Sequence, residues 1–476
     1  MIKFGTSGWR GIIAKEFTYS NVAIVTQAIA NLINEEFKKA SVIIGYDTRF
    51  MSEDFAKTSA EILAGNGIKV LLCKRDTPTP VIAYDIIHSK LAGGINFTAS
   101  HNPYKYNGLK YSPKWGGPAL PETTQKIEKY CASIQSKDIK SISLDYGLKN
   151  KLIEMYNPRA AYIKRIKELV NFKALKKSKI KVAADVLHGT ANDYLDALLD
   201  DAGISNATIN KSRDTMFGGG APEPSEKNLT ELVHMVKQES YKLGFSTDGD
   251  ADRFGIIDSD GAFITPNHVI SILLYHLNKT RGWTGIAVKS VMTTHLIDKL
   301  AAKIGVDIME TPVGFKYIGD VMVNNPDKFI IGGEESGGLT IRGHVPEKDG
   351  ILACLLMAEA VAMSKKSIAE LLKDIKKLTG EVLTSRLNFY LPKETMDAFV
   401  DTLKTKTPDG ILGMKVQKNI TIDGHKFILD DNTWIGFRFS GTEPLVRVYA
   451  EADSQTKLNK LLKVGKAFVY GKRKAK

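Results

Sequence analysis

The sequence predicts an α/β protein of three consecutive α/β domains with mixed sheets, followed by a C-terminal α+β domain, and three observations carry that expectation. The chain has 476 residues, which at roughly 150 residues apiece gives about three domains with room for four smaller ones. Its first three quarters alternate short apolar runs of strand length with stretches of helical periodicity, the layer pattern of α/β folds. From Gly380 the texture changes to a succession of strands closed by one helix. A hydrophobic content of 43% is ample for several cores.

Taken in order, 42–46, 69–73 and 95–98 read as buried strands around a helix near 54–64, and a further helix is predicted over 122–134. The pattern restarts with a strand at 179–184, preceded by a basic stretch that reads as a helix leading into the second unit, and restarts again at 284–290. Strands are then predicted at 382–390, 418–422, 426–429, 434–439 and 446–450, with a final helix from Ser454. The expected domains are 1–145, 146–258, 259–375 and 376–476.

Composition narrows the function classes. The formal charge of +13 raises nucleic acid as a partner, but the basic residues are dispersed, with local clusters only at 164–181 and in the 472–476 tail. They read as solvated surface, so no nucleic acid is expected, while a positive field can still speed encounters with anionic small molecules. Cys73, Cys131 and Cys354 are odd in number and lack metal spacing, which fits a reducing cytoplasm better than a disulfide framework. Lys3, Arg10 and Lys15 interrupt the N-terminus, and Glu359 interrupts the apolar segment after Ile351, so neither a signal peptide nor a membrane span is predicted. No GxxxxGK[ST] loop or complete GxGxxG fingerprint gives a signal for nucleotide binding.

Two segments carry chemistry. Asp248-Gly249-Asp250-Ala251-Asp252-Arg253 places three carboxylates at alternate positions near a strand end; like charges this close repel and raise one another's pKa unless a cation neutralises them. Oxygen ligands select magnesium, manganese or calcium. An EF-hand loop would need Gly at its sixth position and Glu at its twelfth, where Arg253 and Ser259 stand. Three carboxylates leave coordination open for a substrate or phosphoserine oxygen. Thr98-Ala99-Ser100-His101-Asn102-Pro103 puts a hydroxyl where a short strand gives way to a loop rich in Asn, Pro and Gly. A serine nucleophile needs a base, a metal or an incoming phosphate. His101 is a candidate, but neighbours on an extended chain point to opposite sides. Together the segments suggest metal-assisted phosphoryl transfer through serine.

With Gly333-Glu334-Glu335-Ser336-Gly337-Gly338 and Arg438-Phe439-Ser440-Gly441-Thr442-Glu443-Pro444, these segments occur in the order seen in the α-D-phosphohexomutases, and the chain resembles that family from Phe4 to its C-terminal region. The opening Phe4-Gly5-Thr6-Ser7-Gly8-Trp9-Arg10-Gly11 and the Glu-Glu-Ser-Gly form of the Gly333 loop are most similar to the phosphoglucomutase branch. The resemblance implies a four-domain, heart-shaped arrangement around one central cleft. It implies that Ser100 is phosphorylated and that Asp248, Asp250, Asp252 and a phosphoserine oxygen hold one Mg²⁺. Arg10, Lys110 and Arg253 would lie near the reacting phosphate, Glu334 and Ser336 would bind sugar hydroxyls, and Arg438, Ser440, Gly441 and Thr442 would grip the phosphate not being transferred. Lys348 matches a lysine proposed in some members for proton transfer. Phe315, in Gly314-Phe315-Lys316, stands where phosphomannomutase-type members tend to place His.

The implied activity is interconversion of glucose 1-phosphate and glucose 6-phosphate through a phosphoserine enzyme, with glucose 1,6-bisphosphate as intermediate and activator. The alternatives are a phosphomannomutase or dual-specificity enzyme, a metal-dependent phosphohydrolase using Ser100 covalently, and a non-catalytic sugar-phosphate sensor, which the intact Ser100 and Asp residues disfavour.

Overall fold

The computed structural model describes residues 2–405, 408–439 and 445–470. Four sheets follow one another along the chain. The first contains β1 (Trp9–Ile12), β2 (Ser41–Tyr46), β3 (Lys69–Cys73), β4 (Gly93–Phe97), β5 (Tyr106–Pro113) and β6 (Ile153–Tyr156) in the order β1-β5-β4-β2-β3-β6. The second contains β7 (Lys181–Asp185), β8 (Ser205–Ile209), β9 (Leu243–Thr247), β10 (Phe254–Asp258) and β11 (Phe263–Ile264) in the order β11-β10-β9-β7-β8. The third contains β12 (Ile286–Ser290), β13 (Asp307–Thr311), β14 (Phe329–Glu334) and β15 (Gly338–Ile341) in the order β13-β12-β14-β15. The first two sheets thus run past residues 145 and 258.

A shared design positions the site. In each of these sheets a parallel centre turns into an antiparallel hairpin, β4–β5, β9–β10 and β14–β15. Each hairpin loop leaves the C-terminal end of a parallel-paired strand, the edge where open α/β sheets bind ligands. Ser100, the Asp248–Asp252 run and Ser336 occupy those three loops, and Glu334 ends β14. The fourth sheet is antiparallel, made of β16 (Leu383–Tyr390), β17 (Gly410–Ile411), β18 (Met414–Ile420), β19 (His425–Leu429), β20 (Trp434–Phe439) and β21 (Leu445–Ala452) in the order β16-β21-β20-β19-β18-β17. Helices Lys393–Thr405 and Gln455–Val469 accompany it, which makes this unit α+β as expected.

Two strand readings and one helix reading shift for physical reasons. β4 begins at Gly93 because both glycines of Gly93-Gly94 lie in tight strand packing, where a Cβ would stand 2.7 Å from the Ser112 carbonyl and 2.8 Å from Ile86 Cδ1. The basic stretch before Lys179 is two helices, Arg159–Leu169 and Phe172–Ser178, divided where the Asn171 side chain accepts from Ala174 N and caps the second. The strand expected at 418–422 is Met414–Ile420, ending before the turn at Gly424, whose φ of +84° and near contact with the Phe437 carbonyl exclude a side chain.

The first and fourth units have their own hydrophobic clusters, whereas the second and third share one. Helix Gly350–Ser364, buried all round from Gly350 to Val361, joins them by packing against β9, β10 and β15. Glu359, which interrupts its apolar run, is tolerated at 1% exposure because it accepts from His276 Nε2, Arg281 and Asn171 N. Among the described residues no helix is long and apolar enough to cross a membrane.

Candidate active site

Ser100 sits just beyond β4 with a left-handed backbone, φ 51°. That conformation, uncommon for a non-glycine residue, turns its hydroxyl toward the second unit, where Oγ donates to Asp248 Oδ2 at 2.5 Å. It also brings His101 Nδ1 within 3.3 Å of the same hydroxyl. The extended-chain argument that points His101 away does not hold here, because the chain at Ser100 is not extended. Asp248 is nonetheless the nearer partner. Burial, then Arg253 and Arg10, push His101 well below the usual imidazole range, so it is neutral.

The carboxylate loop begins directly after β9. Ala251 N donates to the Asp248 carbonyl at 3.0 Å and Arg253 N to Asp248 Oδ1 at 3.0 Å, closing a turn around the first carboxylate. Gly249 lets the two loops touch, since a Cβ there would stand 2.9 Å from the Ser100 carbonyl. Lys110, projecting from β5, donates to Asp250 Oδ2 and Asp252 Oδ2, both at 2.6 Å. Thr79 Oγ1 reaches Asp250 Oδ2 at 2.5 Å, and Lys348 Nζ lies 3.0 Å from Asp252 Oδ2. Sequence reasoning assigned the neutralising charge to a cation alone; two buried lysines supply part of it.

What remains fits a metal ion. The three Asp side chains are at most 1% exposed, and each offers an oxygen within 4.8 Å of the others. Asp250 Oδ1 and Asp252 Oδ1 are buried without a hydrogen-bond partner, a costly state that coordination would relieve. Burial, Asp252 and Asp250 push Asp248 well above the usual carboxylate range. Burial opposes ionisation of Asp252 too, but Lys110, Lys348 and Arg253 outweigh it and hold that group well below the range.

Cations surround this cage. Arg10, on β1 beside Gly108 of β5, donates to Asn102 Oδ1 at 2.6 Å. Burial and then Arg253 lower its pKa, a sign of crowded positive charge. Arg253 Nε lies 4.0 Å from Asp252 Oδ1. Lys348 donates to Glu347 Oε1 and stands 5.3 Å from the Phe315 ring centre; burial would lower its pKa, but Asp252 and Glu347 raise it.

The third loop joins the second where Phe254 N donates to the Gly337 carbonyl at 3.1 Å. Glu334 accepts from Gly314 N at 2.8 Å, and burial raises its pKa. Ser336 is half-buried. From the fourth unit, Arg438 on β20 donates through Nε to Asp423 Oδ2 at 3.0 Å, while Val313 N donates to the same oxygen at 3.1 Å. Arg438 is in cross-strand register with Arg447; like charges placed so favour an anion between them. Glu451, accepting from Thr294 Oγ1 and His295 N, also ties the fourth unit to the third. Ser440, Gly441 and Thr442 lie outside the described residues.

Sequence reasoning missed Asp47, Arg49, Thr79 and Asn96, which support the first two loops. A charged Asp47-Thr48-Arg49 directly after the apolar run 42–46 was the available signal.

Comparison with known proteins bears on the fold and the family. Models described as phosphoglucomutase/phosphomannomutase α/β/α domains I, II and III match residues 1–138, 160–261 and 265–378, and the C-terminal domain model matches 360–463. The chain is 31% identical to the phosphoglucomutase/phosphomannomutase of Thermococcus kodakarensis, covering 97% of each chain. It is 30% identical to the phosphoglucomutase of Komagataeibacter xylinus over 95% of this chain and 87% of that one. The crystal structure of a putative phosphomannomutase from Thermus thermophilus superposes with a TM-score of 0.85 at 34% identity, covering 99% of both. A probable phosphoglucosamine mutase of Methanosphaera stadtmanae is 29% identical over 98% of each chain. With all four domains matched in order, the chain belongs to the phosphoglucomutase/phosphomannomutase family of phosphohexomutases.

Proposed function

We propose that the protein is a phosphoglucomutase, interconverting glucose 1-phosphate and glucose 6-phosphate by passing a phosphoryl group through Ser100. The observation that carries this reading is the Ser100 hydroxyl 2.5 Å from the first of three buried carboxylates, two of which keep an unpaired oxygen. Phosphoryl transfer asks a protein for positioning and for positive charge around the equatorial oxygens. Asp248, Asp250 and Asp252, with a phosphoserine oxygen, would hold Mg²⁺, which when bound neutralises charge on that oxygen.

The chain's own groups do the rest in this reading. Arg10 and Arg253 bind the oxygens of the group in transit, and Lys110 holds Asp250 and Asp252 in place. Glu334 and Ser336 hydrogen-bond sugar hydroxyls, and Arg438 with the Ser440–Thr442 segment grips the distant phosphate. Lys348, kept protonated by Asp252 and Glu347, suits proton donation to a leaving oxygen better than proton abstraction. After the first transfer a glucose 1,6-bisphosphate turns in the cleft and returns its other phosphate to Ser100.

Phe315 after Gly314, where phosphomannomutase-type members tend to place His, weakens the mannose-phosphate reading. A phosphohydrolase is less consistent, because the Asp248 group is the only metal-competent cluster among the described residues. Coupled assays on glucose 1-phosphate, mannose 1-phosphate and glucosamine 1-phosphate, with inorganic phosphate measured in parallel, test the reading. Highest kcat/KM on glucose 1-phosphate without phosphate release is expected. Preference for another sugar would reassign the substrate, and stoichiometric phosphate release would reassign the reaction.

A further inference from the structure

We infer that Arg49 is a positioning residue for phosphoryl transfer, fixing the serine loop by gathering its backbone carbonyls onto one buried guanidinium. The inference rests on the reading of Ser100 as the phosphoryl carrier. Arg49 is fully buried, and a guanidinium has five N–H donors in a rigid fork. All five have partners. Nε donates to Asp47 Oδ2 at 3.0 Å, one terminal nitrogen to the Pro103 and Tyr106 carbonyls at 3.0 Å each, and the other to the Ser100 and Asn102 carbonyls at 2.5 and 2.7 Å. Four carbonyls of one short loop thus converge on a single planar group.

That convergence answers a strain. The left-handed backbone at Ser100 is strained for a residue with a side chain and persists only where the surroundings over-determine it. Arg49 binds the carbonyl of that residue and those of three residues that follow, Asn102, Pro103 and Tyr106. Asp47 aims the fork, since its Oδ1 accepts from Arg49 N and Ser52 Oγ while its Oδ2 takes Nε. From the other side, Phe217 of the second unit lies over the guanidinium, 4.9 Å from Cζ to the ring centre. The residue that shapes the serine loop therefore also touches the unit that carries the carboxylates. No polar atom of Arg49 remains for substrate, so its effect passes through the loop.

Lysine keeps the charge but offers three donors, and it cannot reproduce the fork. The test compares Arg49→Lys and the milder Asp47→Asn with wild type and with Ser100→Ala, using full-length protein. Thermal midpoints, kcat and KM on glucose 1-phosphate, and the single-turnover transfer rate from pre-phosphorylated enzyme are measured. A displacement of about 1 Å at the reacting group costs on the order of a hundredfold. Folded Arg49→Lys is therefore expected to lose roughly that factor in kcat and in single-turnover rate, with KM within about threefold, and Asp47→Asn to lose less in the same sense. If Arg49→Lys does not fold, Asp47→Asn carries the test alone. A folded variant with wild-type single-turnover rate, whatever its thermal midpoint, would overturn the inference. Full activity in Ser100→Ala would instead overturn the carrier reading beneath it.

Discussion

Replacing Arg438 with Ala separates what this residue does for folding from what it does for substrate. Its side chain is 12% exposed and bonded to Asp423, itself 26% exposed, and a partly buried pair of this kind is worth roughly 1 kcal/mol, the upper end of the range for surface pairs. Against that, Arg438 faces Arg447 across β20 and β21, and relief of such a like-charge pair returns roughly 0.2–1 kcal/mol. The two terms nearly cancel, so the thermal midpoint should move by only a few degrees. Function should not be spared. A charge-assisted hydrogen bond to phosphate is worth about 1.5–3 kcal/mol, which corresponds to roughly ten- to a hundredfold in kcat/KM. Because the residue would grip whichever phosphate is distant from Ser100, both directions should suffer, and the bisphosphate should escape more often before it turns over. Forward and reverse coupled assays with measurement of released bisphosphate read all three effects. Unchanged kcat/KM in both directions would remove the fourth unit from the proposed site, and a loss confined to one direction would contradict the two-phosphate role.

Three further outcomes are expected. Gly249→Ala places a Cβ 2.9 Å from the Ser100 carbonyl and 3.1 Å from Pro222 Cγ, so the two loops must part and kcat should fall on the order of a hundredfold; ordinary turnover in the purified variant would refute the contact. Chelation should abolish activity and Mg²⁺ restore it, and Asp250→Asn should raise the Mg²⁺ concentration needed, whereas undiminished turnover in excess chelator would exclude the metal. Burial raises the pKa of Glu359, but His276, Arg281 and Asn171 N outweigh it and set the folded value below normal. Its stabilising contribution is present above the unfolded pKa of about 4.3 and lost as pH falls through the lower folded value. Denaturation midpoints followed down to acid pH should therefore drop less steeply for Glu359→Gln than for wild type, and parallel curves would contradict that linkage.

The α/β alternation was legible because largely buried strands such as β2 and β3 read as near-continuous apolar runs. The two loops with unusual chemistry, at Ser100 and Asp248, were equally visible, and the structure brings both into contact. Less visible was anything that depends on tertiary approach. Gly93-Gly94 looks like a strand breaker in one dimension and is part of β4 because neighbouring atoms leave no room for side chains. The Ser100–His101 geometry follows from one positive φ, which serine does not announce. Lys110 was legible as a basic residue near the site, but its bridge between two carboxylates depends on β5 of one unit facing the loop of another. Arg49 was missed because most of its partners are backbone carbonyls, which every sequence contains. The shared core of the second and third units could not be read either, because helix Gly350–Ser364 is apolar on all faces and names no single partner.

The central claim is that Ser100 carries the phosphoryl group between substrate and product. Intact-mass analysis with peptide mapping, on protein purified in Mg²⁺ and again after one equivalent of glucose 1-phosphate, measures this directly. One phosphoryl group on the Ser100 peptide, lost as glucose 1,6-bisphosphate forms in equal amount and absent from Ser100→Ala, is the predicted result. Rapid turnover by protein that never carries phosphate at Ser100, or by Ser100→Ala itself, would contradict it.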